Sequence, residues 1–186
     1  MPLEIEAKIK VPDLAVVRGK LQAAGAVRVG KELETNAFFD TPDHSLQSSD
    51  KGLRIRVAVD ETGNSTCTVT FKGPRCKAEF KTRPETEFSA DAPDAVRAML
   101  ENLGYQPTLS FEKRRETWNF AGCKAALDEL PYLGTFVEVE GKSERDVSAA
   151  LDALGLADLP QIYTGYVSLV ARYLEDHQID DRIVRF

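Results

Sequence analysis

The sequence predicts an α+β protein, a closed eight-stranded antiparallel β-barrel with helices packed outside it, formed as a single domain over residues 1–186. Three observations carry that expectation. About eight segments alternate polar and apolar residues with the period of two that marks a strand with two unlike faces. Their connections are tight turns or helical excursions long enough to return, and an antiparallel sheet of that size curls or closes. Four amphipathic segments with helix start and stop signals are available to cover one face of the sheet.

The chain begins with LEIEAKIKV, which puts Glu4, Glu6, Lys8 and Lys10 on one side of a strand and Ile5, Ala7, Ile9 and Val11 on the other. PDLAVVRGKLQAAGA follows as a helix, opened by Pro12-Asp13 and stopped by Gly25. The next segment, RVGKELETNAFFDTPDHSLQSSDKG, contains turn chemistry at Asp40-Thr41-Pro42-Asp43. LRIRVAVDE and STCTVTFKG form a hairpin around Gly63-Asn64, and KAEFKTRPETEFSA alternates again. DAPDAVRAMLENLGY is a second helix, closed by Gly104. TLSFEKRRETWNF, CKAALDEL and GTFVEVEG are three further strands joined by tight turns. SERDVSAALDALGL and YTGYVSLVARYLEDH complete the helices, and the tail after about residue 174 is expected to be peripheral.

Composition narrows the function. The apolar fraction of 42% and charged fraction of 29% are those of an ordinary globular protein. A net charge of −6 argues against nucleic acid as the main partner, while leaving room for a local basic pocket that takes a small polyanion. No run approaches the ~18 apolar residues of a membrane span and no leader pattern opens the chain, so no membrane partner and a cytoplasmic location are expected. Cys67, Cys76 and Cys123 form no CxxC pair and read as reduced structural thiols. With only His44 and His177, zinc hydrolysis and a Ser-His-Asp triad have little to work with. A catalytic metal would be held by carboxylates, which points to Mg²⁺ or Mn²⁺.

The other strands repeat the pattern of the first. Arg54 and Arg56 share a face, Lys72 follows Thr68 and Thr70, and Arg83, Glu85 and Glu87 share a parity. So do Lys113 and Arg115, while Asp128 precedes ELPYLG and Glu138 and Glu140 repeat the ExE spacing. A solvated face is expected to mix in Ser, Asn and Gln, yet these positions are almost all Arg, Lys, Glu or Asp. Composition leaves both orientations open. An inward charged face requires paired charges or a ligand and metal to complete the set. For Lys10, Glu79 and Lys81 a solvated surface position is expected.

Glu4-x-Glu6-x-Lys8 resembles the ExExK signature of the CYTH superfamily, the triphosphate tunnel enzymes. It is joined in order by NAFFDTPDHSL, GLRIRV, TVTFKGP, KTRPETEF, FEKRRETW, LDELPYLGTFVEVEG and GYVSLV, so the resemblance runs from residue 1 to about residue 173. It implies an eight-stranded tunnel whose basic half grips a triphosphate and whose acidic residues bind Mg²⁺ or Mn²⁺. On it, Lys8, Arg54, Arg56, Lys72, Arg83, Lys113 and Arg115 are expected to hold phosphate oxygens. Glu4, Glu6, Glu138 and Glu140 are the first metal candidates, with Asp128, Glu85 and Glu87 behind them. Lys8 and Glu138 are the expected catalytic pair, and the resemblance allows a homodimer.

The superfamily spans two reactions. Water attacks the terminal phosphoryl group of tripolyphosphate, thiamine triphosphate or a nucleotide, or the ribose 3′-hydroxyl of ATP attacks its α-phosphorus to give cyclic AMP and pyrophosphate. TFKGP, LDELPYLGTFVEVE and GYVSLV resemble the class IV adenylyl cyclase stretches TxKGP, LDxxxxLGxFxEIE and SYxxLL, with Gly165 in place of the serine. Some triphosphatases of the superfamily are thought to use a Lys–Tyr dyad, and the expected tyrosine position is Phe38. Adenylyl cyclase-like chemistry on ATP is therefore favoured over triphosphatase chemistry, with a non-catalytic phosphate-binding domain third.

Overall fold

The computed structural model describes residues 3–186. In chain order its elements are β1 (Leu3–Lys10), α1 (Leu14–Ala23), β2 (Val27–Asp40), α2 (Ser45–Ser48), β3 (Gly52–Asp60), β4 (Ser65–Lys72) and β5 (Lys81–Ser89). There follow α3 (Pro93–Asn102), β6 (Gln106–Phe120), β7 (Cys123–Leu130), β8 (Gly134–Gly141), α4 (Glu144–Leu154), α5 (Tyr166–Asp176) and β9 (Ile183–Val184). Eight strands pair antiparallel in the order β2-β3-β4-β5-β1-β8-β7-β6, and β2 pairs with β6 to close the ring. The predicted barrel is therefore present, and closure removes the free edges of the ring. β9 adds a short parallel pairing to β6 at Ser110 and Phe111.

The apolar face of the sheet points outward, under helices. Val17 and Leu21 of α1 and Val147, Leu151 and Leu154 of α4 pack with Ala7, Ile9, Leu127, Val137 and Val139. The helical spacing of the α4 residues puts them on one stripe. Leu100 of α3 joins Phe39, Leu53, Ile55 and Val69. With its apolar side covered by α1, α3 and α4, the charged side of each strand faces the barrel interior. α5 packs against that inward side: its Val170 and Leu174 meet Leu109, Leu130 and Phe136, which share the parity of Lys113, Asp128 and Glu138.

Local chemistry sets the helix boundaries. Asp13 caps α1 by accepting from the Ala15 amide at 2.7 Å, and Gly25 leaves it with a φ of +72°. Ser143 caps α4 by accepting from the Asp146 amide at 3.2 Å. Gly73 ends β4 where a Cβ would lie 2.6 Å from Pro84 Cγ, so the KGP stretch needs glycine for its approach to β5.

Four details differ from the sequence expectation. The turn after Asp40 leads into the one-turn helix α2, whose Leu46 and Gln47 amides donate to the Asp40 carboxylate, each at 2.9 Å. β5 starts at Lys81, because residues 77–80 are bent, and α5 starts at Tyr166 rather than three residues earlier. β9, with two residues, is too short for alternation to reveal. Among the described residues no helix is long and apolar enough to cross a membrane.

Candidate active site

Strand register brings opposite charges side by side inside the barrel. Lys8 pairs in register with Glu138, Glu4 with Arg83, Lys72 with Glu85, and Arg115 with Asp128. The cavity that most of them line has a volume of about 380 Å³. Its basic wall is Arg54, Arg56, Lys113 and Arg115, and its acidic wall is Glu4, Glu6, Glu85, Glu138 and Glu140. Lys8, Lys72, Arg83 and Glu87 also line it. Of the residues expected to hold phosphate or metal, Asp128 alone is absent from the lining.

Asp128 lies fully buried beneath the basic wall. It accepts from Arg115 Nε at 2.7 Å and Nη2 at 2.6 Å, a bidentate pair, and from the Tyr166 hydroxyl at 3.0 Å. Arg115 Nη2 also donates to Glu138. Burial works against the Arg115 charge, but Asp128, Glu138 and Glu34 outweigh it and raise its pKa well above the ordinary value. The buried Lys113 ammonium is pushed down by desolvation and by Arg115, against the pull of Asp128 and Glu34. Arg54 donates to Asn36 and Thr70, yet its buried Nε has no hydrogen-bond acceptor. A buried guanidinium nitrogen left without an acceptor, on a side chain that lines the basic wall, suits an anionic ligand.

On the acidic wall the carboxylates are held by ammonium groups. Lys72 Nζ donates to both oxygens of Glu4 and to Glu85, each at 2.8 Å. Lys81 Nζ donates to Glu6 at 2.5 Å, and Lys8 Nζ lies 3.2 Å from Glu138 and 3.7 Å from Glu6. Glu140, at the mouth, makes no ion pair among the described residues. Its pKa is raised by burial and by Glu4, Glu6 and Glu85, partly offset by Lys124. Carboxylates that repel one another in this way fit a hard divalent cation by donor chemistry. Among the described residues no three of them converge as a ready coordination shell, since the lysines stand between them.

Arg83 reaches the cavity rim, where its guanidinium donates to the carbonyls of Gly73 and Asp50. Lys10 and Glu79 are exposed, as expected. Lys81 departs from expectation: it is buried against Glu6, because its odd parity matches Arg83 and Glu85 once β5 begins at residue 81. Sequence reasoning also passed over Glu34, Asn36 and Tyr166. Glu34 and Asn36 share a parity with the cavity-lining Phe38 and so carried a signal. Tyr166, on α5, had none in strand periodicity. Its ring lies 4.1 Å from Lys8 Nζ, its hydroxyl is turned to Asp128, and burial followed by Asp128 raises its pKa well above the ordinary value.

These charges make stability depend on pH. Burial opposes ionisation of Glu138 and Glu34, yet Lys8 and Arg115 hold the first well below the usual carboxylate range, and Lys113 and Arg115 do the same for the second. A carboxylate depressed on folding stabilises the fold above its unfolded pKa, and that contribution is lost as pH falls through the folded value. The melting temperature is expected to hold from about pH 7 to about pH 5 and to fall steeply below about pH 4. A melting temperature that rises on acidification to about pH 3 would contradict these pairings.

Comparison with known proteins accords with this geometry. The CYTH domain family matches residues 2–163. The chain is 32% identical over 146 residues to the protein MJ0240 of Methanocaldococcus jannaschii, covering 78% of this chain and 80% of that one. It is 32% identical over 140 residues to the adenylate cyclase CyaB of Aeromonas hydrophila, covering 73% and 67% of the two chains. Among solved structures it resembles HpAC1 from Hippeastrum, described as having a dominant triphosphatase activity, with a TM-score of 0.66. That match is 22% identical and covers 89% of this chain and 91% of that one.

Proposed function

The chain belongs to the CYTH domain family, and from that premise we propose that it converts ATP to cyclic AMP and pyrophosphate, with the triphosphate held inside the barrel. The basic wall, with the unanswered Nε of Arg54, is the observation that carries the proposal. A second, larger cavity of about 910 Å³ shares Phe38, Lys81, Arg83, Gly165 and Val167 with the charged one. Its lining mixes Pro107, Leu109, Gln106, Thr108 and Ser168 with charged side chains such as Asp50, Arg75, Arg172 and Arg182. The first group gives apolar surface and neutral hydrogen-bonding groups that suit an organic group on the triphosphate. The adenylate cyclase name of the Aeromonas relative supports the same substrate.

In this mechanism Arg54, Arg56, Lys113 and Arg115 hold phosphate oxygens, with Lys8, Lys72 and Arg83 completing the grip. Asp128, locked by Tyr166, fixes the Arg115 fork. The chain's work is positioning and charge stabilisation: the α-phosphate is presented to the 3′-hydroxyl of the same molecule. The hydroxyl oxygen bonds to the α-phosphorus as its proton passes to water, and pyrophosphate leaves with the electron pair of the broken bond. Glu138, kept ionised by Lys8 and Arg115, stands at the junction of the two walls. A divalent cation held by Glu4, Glu6, Glu138 and Glu140, with Glu85 and Glu87 as further donors, would neutralise phosphate charge. Hydrolysis at the terminal phosphate is the second reading, for which a phenol free to activate water is a useful helper. Tyr166 is the one tyrosine in the charged cavity's lining among the described residues, and its hydroxyl is committed to Asp128.

Incubation with ATP and Mn²⁺ or Mg²⁺, followed by product separation, tests the proposal. Cyclic AMP and pyrophosphate are expected to form faster than ADP and orthophosphate, and turnover is expected to stop in excess chelator. Rapid ADP formation without cyclic AMP would replace cyclisation by hydrolysis. Undiminished turnover in chelator would remove the metal.

A further inference from the structure

Glu34 on β2 is a fully buried carboxylate placed among the cations of the basic wall. Lys113 Nζ lies 3.1 Å from its Oε2, and Asn36 Nδ2 donates to the same oxygen at 3.1 Å. Arg56 Nη1 and Arg115 Nε each lie 3.7 Å from its Oε1, which accepts no hydrogen bond. The other anions near these cations are already committed or partly solvated. Asp128 and Glu138 take the Arg115 guanidinium, and Asp128 lies 3.5 Å from Lys113. Glu87 has a side chain 41% exposed and stands 3.7 Å from Arg56, and the half-buried Glu32 acts on Arg56 and Arg115 without an ion pair among the described residues. Glu34 is therefore the buried counter-charge that Lys113, Arg56 and Arg115 share.

We propose that Glu34 is an affinity-limiting counter-ion, a fixed carboxylate that holds the basic wall together without ligand and repels the polyphosphate that comes to the same cations. The inference rests on the triphosphate grip proposed above. Glu34 is central in a strand paired on both sides within the closed ring, with Lys113 its register partner on β6, so an arriving anion does not displace it. The cations then divide their attraction between a permanent carboxylate and a transient ligand. A pyrophosphate product would keep many of the contacts of its parent triphosphate, and the standing negative charge of Glu34 favours its departure.

The sign of the effect separates this role from that of a residue that binds or positions the ligand. Loss of a positioning residue weakens binding. Loss of a repelling charge strengthens it, by about tenfold for one unit charge several ångströms from the anion at an effective dielectric constant of about 20 with partial screening. Glu34→Gln keeps the shape and removes the charge. In chelator at fixed ionic strength, tripolyphosphate is expected to bind this variant about tenfold more tightly than wild type in calorimetric titration. The ligand-free variant is expected to melt lower than wild type, because Lys113 and Arg56 lose a buried partner, and tripolyphosphate is expected to raise its melting temperature by more than it raises that of wild type. In turnover, KM and kcat are expected to fall together, the mark of tighter ground-state and product binding.

Equal or weaker binding by Glu34→Gln, in a wild type that binds tripolyphosphate, overturns the counter-ion role and leaves the grip intact. A wild type that does not bind tripolyphosphate overturns both. Should the variant be unfolded without ligand, tripolyphosphate is expected to restore its fold by supplying the missing negative charge, and failure to do so overturns the proposal.

Discussion

Arg115→Ala is expected to lower the melting temperature by about 6–20 °C and to abolish turnover, the combined result of breaking a buried charge network and removing a phosphate contact. The guanidinium is shared by Asp128, Glu138 and Glu34. Asp128 and Glu34 have no exposed surface, so its removal leaves two buried carboxylates sharing Lys113 where water does not reach them. Arg114→Ala is the control on the same strand. That side chain points outward, is 45% exposed and pairs with Glu129 at 3.3 Å, a surface contact whose loss is worth about 1 kcal/mol at most. Thermal melts of the two variants check the difference. Equal melting temperatures would mean that the interior charges are not coupled as described. A polyanion is expected not to rescue Arg115→Ala, in contrast to Glu34→Gln, because the defect has the opposite sign.

Glu4→Gln is expected to reduce turnover by about a hundredfold to a thousandfold while the melting temperature moves by only a few degrees. The structure explains why the fold tolerates the change: Lys72 keeps Glu85 at 2.8 Å when the Glu4 charge is lost. The raised pKa of Glu140, to which Glu4 contributes, shows that the acidic wall carries like-charge repulsion that the change relieves. Parallel melting and product-formation assays check it. A variant that melts far below wild type would make Glu4 a structural partner of Lys72 first and a catalytic group second.

The division of each strand into a charged and an apolar face was legible in the sequence, because the side-chain period of a strand is two. Which face turned inward was not legible from periodicity, since that depends on ring closure and on helices covering the other side. Lys81 shows the limit. Its parity matched Arg83 and Glu85, but the chain bend over residues 77–80 decides where the strand begins and hence that Lys81 is inside. Asp128 shows another limit: its residue type suits a metal ligand, and only the register between β6 and β7 makes it the partner of Arg115. Tyr166 enters the cavity from a helix, so strand alternation had no means of revealing it. Glu34 lies in a segment whose turn signal at Asp40-Thr41-Pro42-Asp43 is stronger than the alternation of the strand before it.

A crystal structure with a non-hydrolysable ATP analogue and Mg²⁺ tests most directly whether a triphosphate sits inside the barrel on the basic wall. The expected density has the phosphate chain bonded to Arg54, Arg56, Lys113 and Arg115, an acceptor oxygen on Arg54 Nε, and the nucleoside in the adjoining larger cavity. Density for the analogue outside the barrel, with Arg54 Nε still unanswered, would contradict that placement.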